Sequence, residues 1–148
     1  MLLRLCVRVL ILTWVAIAAV ATRDRAALWP DERGLWADAV AQAPAKPRPW
    51  INLGRMYALD GAAGMAEDAY LRGMAAAEAG GRSVDEHVFG YGLGAANVAL
   101  LRCRAGDRDG ALTLAREAVK RRPAATALTE VHTWLERGTL PCSSASSF

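Results

Sequence analysis

Residues 50–70, WINLGRMYALDGAAGMAEDAY, decide how this chain is read. On a helix, Trp50, Leu53, Gly54 and Tyr57 stand at i, i+3, i+4 and i+7 and share one face. Gly61 ends that helix, and Ala66 and Tyr70 open a second face four residues apart. A ring as large as Trp50 needs a small neighbour. Gly54 lets a second helix approach closely, Ala66 fits against Gly54, and Tyr70 fills the space beyond. The result is a helical hairpin. Composition agrees, because the chain is rich in Ala and Leu and poor in alternating β-branched residues, so the expected class is all-α.

The spacing W-x-x-L-G-x-x-Y followed by A-x-x-x-Y resembles the tetratricopeptide repeat, whose period is 34 residues. The resemblance implies a short α-solenoid of stacked hairpins, with the full repeat at 47–79. Upstream, Pro30, Asp31 and Glu32 form a helix start, with Pro in the first turn and acids on the positive end of the dipole. Trp36, Ala39 and Val40 then make an apolar stripe that ends at Pro44. Trp36 precedes Tyr70 by 34 residues, so 30–44 is expected to be half of a preceding repeat. Pro44, Pro47 and Pro49 punctuate a short turn segment before Trp50.

Downstream, Gly80 and Gly81 stop the second helix, and Ser83 with Glu86 forms a capping box that opens a helix near Val84 and runs to Ala105. Gly106 corresponds to Gly61 and Ala111 to Ala66, both 45 residues apart, so a degenerate repeat at 84–123 carries an 11-residue insertion. Asp107, Ala118 and Pro123 complete its anchors, while Ala95 stands for Trp50 and Ala115 for Tyr70. Thr126–Arg137 is an amphipathic helix with Leu128, Val131, Trp134 and Leu135 on one face, placed to cap the stack. The Ser-rich tail, 138–148, is expected to be disordered. Lys120, Arg121 and Arg122 read either as a basic patch or as cations complementing a helix C-terminus.

Residues 1–22 are apolar apart from Arg4 and Arg8. They read as a membrane-spanning helix, with the arginines snorkelling, or as a cleaved signal peptide with Ala19-Val20-Ala21 at the cleavage site. A buried soluble helix is a third reading, poorly served by two arginines. Both leading readings put the rest of the chain outside the cytoplasm, on the periplasmic side, as a single-pass or secreted domain. Arg23, Arg25 and Arg33 blunt the charge asymmetry that would fix the orientation. The run from Thr22 to Gly54 also resembles the junction between the last span and the first repeat of multi-pass, glycosyltransferase-like membrane proteins. That likeness implies a detached repeat half or subunit of a larger membrane complex. The many spans and acidic loop where such proteins do chemistry are absent from this chain.

Chemistry is not written into the sequence. Net charge is +3, and without Arg4 and Arg8 the 18 basic residues become 16 against 15 acidic ones. That balance lacks the concentrated footprint of a nucleic-acid binder. His87 and His132 have no second ligand at metal spacing. The adjacent acids Asp31-Glu32, Glu67-Asp68 and Asp85-Glu86 sit at helix starts. Gly90-Tyr91-Gly92-Leu93-Gly94 lacks the strand and spacing of a phosphate loop, and its glycines suit close helix packing. No cofactor, metal or catalytic residue is expected. Cys103 and Cys142 either pair in an oxidising compartment or remain one buried and one free thiol.

The candidate site is therefore the concave face, where a protein or peptide would bind. The resemblance places Asn52, and its insertion-corrected equivalent Asn97, on that face. An Asn can both donate to and accept from a peptide backbone. Arg48 and Arg55 flank Asn52 one turn to either side and favour an acidic or carboxylate ligand.

Overall fold

Apolar positions three and four apart become helices throughout the computed structural model, which describes residues 2–26, 31–80 and 90–142. Every regular element among the described residues is helical, so the chain is all-α. It divides into two units, residues 1–35 and residues 36–148.

In the first unit, α1 (Leu2–Ala26) carries exposed apolar side chains at Leu10, Ile11, Leu12, Trp14, Val15, Ile17 and Val20. At about 100° per residue these seven positions surround the helix, leaving no polar side. Among the described residues no helix is long and apolar enough to cross a membrane. The apolar run with described side chains, Leu10 to Thr22, rises about 20 Å, against a hydrocarbon core of roughly 30 Å. Residues 1–22 were expected to be a membrane-spanning or signal helix; a helix is present there, but it falls short of a membrane span. α2 (Glu32–Gln42) begins with Glu32 in its first turn, as expected, while Pro30 lies outside the described residues. Trp36, Ala39 and Val40 are half-buried, and α2 has no fully buried residue.

The second unit starts its first hairpin earlier than the proline pattern suggested. α3 (Pro47–Leu59) has Pro47 at its first position, where a missing N–H costs nothing and the fixed φ suits a helix. Pro47 and Pro49 therefore belong to the helix, and only Pro44 remains in the turn. α4 (Ala63–Ala79) completes the hairpin and is capped at Gly80, and Gly81 lies outside the described residues. The second hairpin pairs α5 (Leu93–Arg104), entered through a π turn at 90–92, with α6 (Arg108–Arg121). α7 (Thr126–Arg137) packs on both. The capping box at Ser83 and Glu86 falls outside the described residues.

Both hairpin turns and the end of α7 use the same device. Gly61, Gly106 and Gly138 have φ of 75°, 89° and 67°, a region that costs other residues dearly. After each, the next N–H reaches back across the helix end: Ala62 to the Tyr57 carbonyl, Asp107 to Arg102 and Thr139 to Trp134, at 2.9, 2.9 and 3.1 Å. This is the bonding of a Schellman cap. Asp107 then caps α6, its carboxylate accepting from the Gly110 N–H at 2.8 Å. The equivalence of Gly61 with Gly106 is thus a structural one as well as a spacing.

The core is built from small residues opposite rings and branched chains. The atoms nearest to Gly54 belong to Tyr70, whose ring lies 2.7 Å from where a Cβ would stand. The partner of Gly54 is therefore Tyr70 itself, where Ala66 was expected, because the ring folds back over the glycine. At the corresponding positions of the second hairpin, Ala99 and Ala115 are both fully buried. A glycine facing a ring has been replaced by two alanines. Ala66 and Ala111, the matched turn-side anchors, are also fully buried, as are Leu53 and Ala118. Trp50 and Tyr57 are only half-buried, and Pro123 is exposed in the turn between α6 and α7.

Gly90 and Gly94 join the two hairpins. A Cβ on Gly90 would lie 2.7 Å from the Cβ atoms of both Ala77 and Pro47, and one on Gly94 would lie 2.7 Å from Met74 and 3.0 Å from Ile51. Two glycines one turn apart thus seat this helix directly on α3 and α4. Two ion pairs add to the seam: Arg102 donates from Nε and Nη2 to Glu67 Oε1 at 2.9 and 2.8 Å, and Arg121 meets Glu78 at 3.0 Å.

The start of the tail departs from expectation. Cys103 and Cys142 form a disulfide, with Cα atoms 4.4 Å apart, and Cys103 is 1% exposed. Leu140 packs against the core, and Arg108 Nη2 donates to the Leu135 carbonyl at 2.7 Å beside Gly138. Residues 138–142, expected to begin a disordered tail, are held by a covalent bond and a helix cap. Residues 143–148 lie outside the described residues.

Candidate functional site

The residues singled out from sequence stand on the first helix of each hairpin. Asn52 on α3 and Asn97 on α5 are both half-buried, and Arg48 and Arg55 are exposed. Burial raises the Tyr70 phenol pKa, while the charges of Arg55 and then Arg104 act against that rise. Both guanidinium groups therefore act on one hydroxyl, one from each first helix. Arg104 is seven residues beyond Asn97 and on the same helical face. Arg55 follows Asn52 by three residues on α3, and Arg104 follows Asn97 by seven on α5.

Arg104 was missed by sequence reasoning, although the i+7 step from Asn97 was available to find it. The ionisation of Tyr70 has a measurable consequence. Its folded pKa lies above the unfolded value, so the protein holds this proton when the unfolded chain has lost it. Stability contributed by Tyr70 is complete below about pH 10 and falls as pH rises further. Urea midpoints measured from about pH 8 to 11 should decline at the alkaline end, and Tyr70→Phe should flatten that decline. An equal decline in both proteins would remove Tyr70 as its source.

Elsewhere, partners account for charges that looked free. Lys120 meets Glu117 at 2.9 Å, Arg121 meets Glu78, and the Arg122 guanidinium lies over the Tyr91 ring at 5.4 Å. The Glu117 carboxyl is held below its usual pKa by the Lys120 hydrogen bond and charge. The basic run at 120–122 is a set of specific contacts. Among the described residues no group of three His, Cys, Asp or Glu is placed to hold a metal ion. His132 lies 3.3 Å from Glu136, and His87 is outside the described residues.

Trp50 has a different setting from that expected of a core anchor. Its indole N–H donates to the Pro44 carbonyl at 2.8 Å, and the Arg72 guanidinium sits 5.3 Å from its ring centre. A cavity of about 390 Å³ opens beside it, walled by Ala75, Ala76 and Ala79. Arg72 and Trp50 are 22 residues apart on different helices, so no local pattern announces their pairing. No described protein family, characterised protein or solved structure matches this chain.

Proposed function

We propose that this chain is a tetratricopeptide-type interaction module, held at a membrane by α1, that binds a protein or peptide through its first-helix face and does no chemistry itself. The observation that carries the reading is the matched pair of hairpins. Gly61 and Gly106 take the same turn, Ala66 and Ala111 are buried alike, and Asn52 and Asn97 recur at the same register. Hairpins of this kind bury their apolar faces by stacking and leave first helices to line a binding surface. Arg55 and Arg104 favour a ligand with an acidic side chain or a free C-terminal carboxylate.

The apolar circumference of α1 supports the membrane part, since a helix without a polar face needs lipid or protein around it. The Cys103–Cys142 disulfide supports an oxidising, extracytoplasmic compartment for the helical domain.

The test uses the full chain in detergent against peptides with free or amidated C-termini, read by fluorescence anisotropy. Asn52→Ala with Arg55→Ala should weaken binding of the free-carboxylate peptides by about tenfold or more, given roughly 1.5–3 kcal/mol for a charged hydrogen bond. Equal binding by wild type and double variant would remove this face from recognition. Resistance of the intact chain to carbonate extraction tests the tether separately.

A further inference from the structure

The bond between Cys103 and Cys142 joins two sulfurs in unlike settings. We infer that Cys142 is the site of thiol–disulfide exchange in this chain. A disulfide-bearing oxidant forms its mixed disulfide there, and Cys103 is the buried thiol that resolves it. The inference is independent of what the first-helix face binds and of the tether.

Access separates the two cysteines. Exchange passes through a mixed disulfide, so the reacting sulfur must admit a second molecule beside it. Cys103 is 1% exposed in the last turn of α5, within the buried cluster that includes Ala99, Val131 and Leu135. A sulfur closed in by helix packing admits no partner. Cys142 lies beyond the last helix and is half-buried, and its neighbours Thr139 and Pro141 are exposed. The segment that carries it is held in place by contacts other than the bond. The Thr139 N–H and hydroxyl both donate to the Trp134 carbonyl, at 3.1 and 3.2 Å, and Arg108 holds the Leu135 carbonyl at 2.7 Å. Leu140 packs against the core, and Pro141, with its fixed φ, limits the swing of Cys142. Residues 138–142 thus lie over the end of α5 before the sulfurs are joined, with Cys103 beneath and Cys142 open to one side.

Oxidation then takes two exchanges. The Cys142 thiolate attacks one sulfur of the oxidant's disulfide, forming a bond to that sulfur and releasing the other as a thiol. The Cys103 thiolate attacks Cys142 Sγ, forming the intramolecular bond and releasing the second oxidant thiol. The protons of the two cysteines leave on the two released thiols. Two cysteines are oxidised and one oxidant disulfide is reduced. Reduction follows the same path backwards: a thiol enters at Cys142, and Cys103 is the leaving group.

The test uses the reduced full chain in detergent, with Cys6→Ala throughout so that the α1 thiol is silent, and glutathione disulfide as the oxidant. Intact-mass spectrometry follows the glutathione adduct. Cys103→Ser, which keeps Cys142, should gain one glutathione about tenfold or more faster than Cys142→Ser, which keeps Cys103 and must open locally to react. In concentrated urea the two rates should converge, because unfolding exposes both thiols alike. A brief pulse of iodoacetamide on the reduced chain with both cysteines present makes the comparison without either substitution, and peptide mapping should find the label on Cys142. That pulse decides the matter whether or not Cys142→Ser keeps its fold. Label on Cys103 as fast as on Cys142 would overturn the inference.

Discussion

Cys142→Ser is expected to destabilise the helical domain by about 4 kcal/mol, because the bond to Cys103 closes a loop 39 residues apart in sequence. For a domain of this size that is a large share of a total near 5–15 kcal/mol. The melting temperature should fall on the order of 15–30 °C. The effect is local as well as global. The bond ties the segment after α7 to the last turn of α5, and Leu140 of that segment packs against the core. Hydrogen exchange should therefore quicken first in α7 and in the last turn of α5. Wild type treated with a thiol reductant should show the same loss, and Cys142→Ser should be insensitive to it. A melting curve that ignores reductant would mean that helix packing alone holds the tail.

The second large effect belongs to Gly90. Gly90→Val is expected to cost about 3 kcal/mol, near the upper end of the usual penalty for overpacking. The new Cβ would stand 2.7 Å from the Cβ atoms of Ala77 and Pro47. Neither is the end of a flexible chain, and Pro47 is anchored in the first turn of α3, so relief requires the two hairpins to separate. Gly64→Ala is the control. Nothing lies within 4 Å of its Cβ position, and the substitution removes a flexible residue from α4. It should be neutral or stabilise by up to roughly 1 kcal/mol. Urea unfolding followed by tryptophan fluorescence and by circular dichroism measures both. In a stack, neighbouring units communicate only through their shared seam. Gly90→Val should therefore also separate the two probes, so that fluorescence and circular dichroism give different midpoints. Equal, small effects for both glycine substitutions would show that the seam tolerates an added side chain.

The hairpin at 47–79 was legible because its information is local. Face-sharing at i, i+3, i+4 and i+7, a glycine at φ 75° and a buried Ala66 are properties of a stretch of about thirty residues. The second hairpin was legible through its turn, since Gly106 and Asp107 demand a particular backbone whatever the rest of the helix has become. Gly90 and Gly94 were readable as a close-packing pair for the same reason: two residues without side chains on one face admit a neighbour. What they would touch was not readable.

Tertiary structure settled where several pieces went. Tyr70 took the place beside Gly54 that Ala66 was expected to fill, because a ring on a close-packed helix can fold over a neighbouring glycine. Trp134 shares a helix with Leu128, Val131 and Leu135, yet only those three fit the seam with α5 and α6, and the broader indole was left exposed. Cys103 and Cys142 were two cysteines with two possible states until the chain after Gly138 turned back toward α5. Periodicity and turn chemistry thus determined that this chain makes helical hairpins. Which side chains meet across them was decided by packing, because such contacts join residues as far apart as Gly54 and Tyr70 or Cys103 and Cys142, which carry no shared local signal.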